Sequence, residues 1–170
     1  MRFDYLLKLY PELNIKGIGD KHTFSLDYYT KHGEKLRLKE PTYKCDPFGY
    51  CYNRDVNATY KTAFNVILIN HNSKLLEKSN SLNEDLSGTL THEFAHALDN
   101  QYKISENPLM IDFYNRFKKA SIFVTGENEE KIDEFIAIHF DKSFYNSEIS
   151  KKARAVMDEI ITSTTLEPNL

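Results

Sequence analysis

From Ser81 to Gln101 the sequence carries one long helical signal. Leu86, Leu90, Phe94 and Leu98 recur every fourth residue, the spacing that lines one face of an α-helix. Ser81, followed three residues later by Glu84, fits a capping box at the N-terminal end. The stretch before it, Ala63 to Asn70, is short, rich in β-branched residues and closed by the polar His71-Asn72-Ser73, which predicts a strand.

Three further helices are expected downstream. Pro108 opens one, with Leu109, Ile111, Phe113, Phe117 and Ile122 as its apolar side. The next starts near Glu129, with Ile132, Phe135, Ile136 and Phe140 facing inward. The last runs from about Ser150 to Ile161, with Ala153, Val156, Met157 and Ile160 apolar. Residues 1 to 60 are broken by Pro11, Gly17, Gly19, Gly33, Pro41, Pro47 and Gly49. Phe24 to Tyr29 and Lys35 to Leu38 read there as short strands. The expected class is α+β, with a small strand-containing N-terminal part and a helical C-terminal part.

The 170 residues show no repeat, low-complexity tract or linker, so one domain is expected over 1–170. A net charge of −3 argues against a nucleic-acid partner. No apolar run approaches the roughly 20 residues of a membrane span, and the N-terminus lacks a signal-peptide apolar core. Neither a nucleic acid nor a membrane is the expected partner, and the chain is expected to be a monomer. The compartment stays open, as does the state of Cys45 and Cys51, which flank a Pro-Phe-Gly turn.

His92-Glu93-Phe94-Ala95-His96 falls inside the long helix and follows the H-E-x-x-H pattern. Residues four apart on a helix lie roughly 40° apart around the axis and about 6 Å along it. Two imidazoles so spaced converge on one ion. Glu93 is rotated about 100° from His92 and suits a base acting on metal-activated water better than a ligand. A catalytic zinc site takes three protein ligands. The metzincin extension fails, because Asp99 and Tyr102 stand where it needs Gly and His. The third ligand then comes from elsewhere, and the segment from Glu129 to Phe140 is its expected source. Glu130, Asp133, Glu134 and His139 all have the chemistry for it, although such a charge run usually reads as a solvated face. Small Ala137, on the side of Glu134, mildly favours that residue. Asp99 reads equally as a group orienting a histidine and as a residue serving the helix end.

His92-Glu93-Phe94-Ala95-His96-Ala97-Leu98-Asp99, together with Glu134-Phe135-Ile136-Ala137-Ile138-His139-Phe140, resembles the lethal factor-like zinc metallopeptidase domain. The Pro-Pro endopeptidases share that domain type. The resemblance spans about residues 81–161 and implies a zincin-like fold with an edge strand, one Zn²⁺ per chain, and Glu134 as third ligand beside His92 and His96. It implies a gluzincin-type endopeptidase with Glu93 as general base and a peptide or protein as substrate. The family's Tyr, next to a Gly shortly before the Glu ligand, is replaced here by Thr125 before Gly126, so Tyr102 and Tyr145 become the candidates for stabilising an oxyanion. By backbone pairing, Phe64 to Asn70 is the expected substrate strand. The rival expectations are a weak or inactive zinc-binding module and an intracellular regulatory protease.

Overall fold

The computed structural model describes residues 2–20, 58–70, 82–120 and 131–166. These carry five α-helices and a three-stranded sheet: α1 (Arg2–Leu9), β1 (Gly17–Asp20), β2 (Ala58–Lys61), β3 (Val66–Ile69), α2 (Leu82–Tyr102), α3 (Pro108–Phe117), α4 (Ile132–Lys142) and α5 (Glu148–Leu166). The class is α+β. No helix among the described residues is long and apolar enough to cross a membrane. The chain packs as two compact units, one from residues 1–13 and 91–170, the other from residues 14–90.

In the second unit the sheet order is β1-β3-β2. β1 runs parallel to β3, with Gly17 opposite Val66, and β2 antiparallel, with Lys61 opposite Val66. β3 is central because Val66, Ile67 and Leu68 are all fully buried. A strand without a polar face needs neighbours on every side. This corrects the expected role of Phe64 to Asn70 as an edge strand for substrate: both backbone edges of β3 are already paired. The strand is also shorter than expected. Ala63 to Asn65 belong to the turn that joins β2 to β3, and Asn65 takes a left-handed φ of 53°, which asparagine tolerates better than most residues. The strands expected at Phe24 to Tyr29 and Lys35 to Leu38 lie outside the described residues.

In the first unit, Phe94 of α2 is the centre of an aromatic core. Its ring meets Phe3 edge-on at 5.5 Å, lies 5.9 Å from Tyr10, and stacks on Phe140 at 6.2 Å. Such pairs add about 0.5–1.5 kcal/mol each beyond burial. Met110, Phe113 and Tyr114 anchor α3, while Leu109 and Ile111 are exposed. That corrects the apolar side expected for this helix. Residues 109, 111 and 113 are two apart and turn away from one another on a helix, whereas 110, 113, 114 and 117 follow its period. Asn107 caps α3 by accepting a hydrogen bond from the Leu109 amide at 3.0 Å, with Pro108 at the first position. α5 extends beyond the expected Ser150–Ile161 at both ends.

Candidate metal centre

The apolar stripe of α2 faces the core through Leu90, Phe94 and Leu98, which are buried. That sets the rotation of the helix and turns His92 and His96 to a partly open side, with 26% and 18% of their side chains exposed. α4 is oriented likewise by buried Phe135, Ile136 and Phe140, leaving Glu134 at 27% exposure. The two helices bring the three side chains together.

The Nε2 atoms of His92 and His96 are 3.2 Å apart. Glu134 Oε2 lies 3.4 Å from His92 Nε2, and its Oε1 lies 3.7 Å from His96 Nε2. Among the described residues this is the one group of three or more ligand-type side chains able to hold a metal ion. Ligands bonded tetrahedrally to zinc at about 2.0–2.1 Å stand about 3.3–3.4 Å from one another. The two histidine nitrogens stand close to that separation, each has a different Glu134 oxygen near it, and one ligand atom from each of the three residues lies within 4.8 Å of the others.

Charge supports the same grouping. The His92 hydrogen bond holds Glu134 below the usual carboxylate range, against burial, which raises it. For His92, burial acts to lower the pKa, but the bond to Glu134 and the charges of Glu93, Glu134 and Asp141 hold it above its ordinary value. Glu93 is buried, with only 8% exposed, and its charge acts on His92. A buried carboxylate is costly and is retained where it is paired or used.

The remaining candidates fall elsewhere. His139 is fully buried, its ring 4.3 Å from Phe135 and its Nδ1 2.8 Å from Ser150 Oγ. Asp133 is half-buried outside the three-residue group. Glu130, Thr125 and Gly126 lie outside the described residues, as do His22, His32, His71, Cys45 and Cys51. Asp99 serves the helix end: its Oδ1 accepts the Ser105 amide hydrogen at 2.6 Å, closing the turn past α2. Tyr102 comes six residues after His96, so it lies about 9 Å further along the axis and on another face; it bonds to Gln101. The Tyr145 hydroxyl accepts from Arg2 at 3.3 Å.

Sequence reasoning missed Asp141. It sits two turns past Glu134 on the same face of α4, buried, with Arg2 at 3.2 Å and Lys142 at 3.4 Å on its two oxygens. The seven-residue spacing was the available signal. Comparison of the chain with protein-family models, curated proteins and solved structures finds no match to any of them.

Proposed function

We propose that this protein is a zinc-dependent peptidase in which His92, His96 and Glu134 hold the ion and Glu93 is the general base. The observation that carries the reading is the convergence of three ligand-type side chains from two helices, their ligand atoms within 4.8 Å of one another, with a buried carboxylate one residue from the first histidine. Its likeness to the lethal factor-like metallopeptidases at His92–Asp99 and Glu134–Phe140 supports it further.

Zn²⁺ bound there supplies a Lewis acid that acidifies water and polarises a peptide carbonyl. Glu93 takes the proton from the attacking water and returns it to the leaving amine. His92 and His96 would hold the ion as neutral imidazoles, and Glu134 would offset one of its two positive charges. A purely structural zinc site is closed by four protein ligands. Among the described residues three ligands and a neighbouring carboxylate come together, which suits catalysis better.

A second reading, a zinc-binding module without hydrolysis, is favoured by one observation. The hydroxyls of Tyr102 and Tyr145, the candidate oxyanion donors, are bonded to Gln101 and Arg2.

The test is elemental analysis after dialysis, run beside a fluorogenic peptide-library assay. The peptidase reading expects one zinc per chain, lost in Glu134→Ala, and cleavage abolished in Glu93→Ala with zinc retained. Zinc without cleavage of any peptide selects the module. No zinc in the wild type, even after it is added back, overturns both readings.

A further inference from the structure

A second site lies at the junction of α1, the end of α2 and α5. It is a cleft of about 390 Å³ whose lining includes Leu9, Tyr10, Glu12, Tyr102, Asp158 and Ile161. That volume is within the usual range for ligand pockets. None of the three donors of the metal centre lines it.

Its chemistry is one-sided. Among the described residues two carboxylates line the cleft, and no lysine, arginine or histidine does. Asp158, half-exposed, is held at one oxygen: the Tyr10 hydroxyl and Arg154 Nε both donate to its Oδ1. Its Oδ2 receives no hydrogen bond from the described residues. The Arg154 charge is already engaged, by Asp158 and by the face of Phe140, 4.2 Å away. Glu12 is exposed, and among the described residues its carboxylate has no hydrogen bond or ion pair. Its backbone carbonyl, by contrast, is fixed by Gln101 Nε2 at 2.8 Å. The cleft thus combines a preorganised carboxylate oxygen, a second unpaired carboxylate, two phenol rings and an aliphatic wall.

We infer that this cleft binds an aliphatic primary ammonium group. An ammonium has three donors and no acceptor, which suits single oxygens offered from different sides. A guanidinium asks for both oxygens of one carboxylate, and Asp158 Oδ1 is already taken twice. The Tyr102 ring adds a cation–π surface, the Tyr10 ring being already covered by Arg154 at 5.4 Å, and Leu9 and Ile161 cover a methylene chain. The ammonium comes from a lysine side chain of a polypeptide or from a free alkylamine. The inference does not depend on the zinc site.

The experiment follows backbone amide shifts of the ¹⁵N-labelled full chain during titration. The probes are n-butylammonium, a capped lysine pentapeptide, and the same pentapeptide acetylated at Nε. Saturable shifts at Glu12, Tyr102 and Thr162 are expected with the charged probes and not with the acetylated peptide. Glu12→Gln, at an exposed position that leaves the Asp158 network intact, is expected to weaken binding about fivefold. Tyr102→Leu is expected to weaken it as well, and Tyr102→Phe to restore it, since the ring rather than the hydroxyl meets the ligand. A peptide that binds more tightly than n-butylammonium assigns the polypeptide source, and equal binding assigns the free amine. Absence of shifts at these three residues overturns the inference. So do equal shifts from the acetylated peptide, or unchanged binding in Glu12→Gln.

Discussion

α4 carries two ionisable side chains five residues apart that meet opposite surroundings. Glu134 lies on the partly open side, against two histidines of α2. His139 lies in the core, between Phe135 and Ser150. Imidazole behaves accordingly. His92, with carboxylates around it, is held above its ordinary pKa despite burial. His139, with burial as its one resolved influence, is pushed down to about 4. The same ring is suited to hold a cation at one seam and to pack as a neutral core residue at the other. Residue type decides little until the neighbours are known.

The sharpest way to break this contrast is at the polar seam. Replacing Glu93 by Gln is expected to lower peptide hydrolysis by about 10²–10⁴-fold, while zinc measured by elemental analysis stays at the wild-type level. Zinc lost together with activity would make Glu93 part of the ligand set.

The core seam has its own signature in pH. The unfolded chain protonates His139 near the ordinary value of 6.5, the folded chain only near 4. A depressed folded pKa means the unfolded state binds more protons in between. The neutral histidine's contribution is therefore fully present above about pH 6.5 and is lost as pH falls toward 4. The loss amounts to about 3 kcal/mol. Urea denaturation at pH 7, 5.5 and 4.5 measures it. In His139→Leu, which has nothing to protonate there, that part of the slope is expected to vanish.

Smaller effects test the partners. Ser150→Ala removes the oxygen 2.8 Å from His139 Nδ1 and is expected to cost about 1–3 kcal/mol by thermal or urea unfolding, with zinc content unchanged. Asp99→Ala removes the acceptor of the Ser105 amide and is expected to cost about 1 kcal/mol, again with zinc retained. Zinc weakened strongly in Asp99→Ala would return Asp99 to the role of orienting a histidine.

Much of the helical framework was legible before the structure. The four-residue stripe of Leu86, Leu90, Phe94 and Leu98 predicted α2 to within one residue at each end, because a long amphipathic period repeats its signal several times. α1 went unrecognised. Its eight residues make barely two turns, and exposed Tyr5, Leu7 and Leu9 blur the contrast with buried Phe3 and Leu6. β1 was hidden by Gly17 and Gly19, which read as breaks. β2 is only four residues long. In α3 the apolar residues outnumber the positions that can be buried, so composition pointed at Leu109 and Ile111, and packing chose Met110 and Tyr114.

The sequence by itself determined that His92 and His96 share one side of a helix, with Glu93 beside them. Local periodicity is enough for that, since backbone hydrogen bonding fixes the angle between residues four apart. Only the tertiary structure decided which group on α4 joins them. Asp133, Glu134 and His139 all had the chemistry, Ala137 and the family resemblance favoured Glu134, and Glu130 lies outside the described residues. The buried faces of Phe94 and Phe140, stacked on each other, set the rotation of both helices. That rotation turns Glu134 toward the histidines and His139 into the core; local spacing favoured Glu134, and long-range packing is what brings it within reach of them.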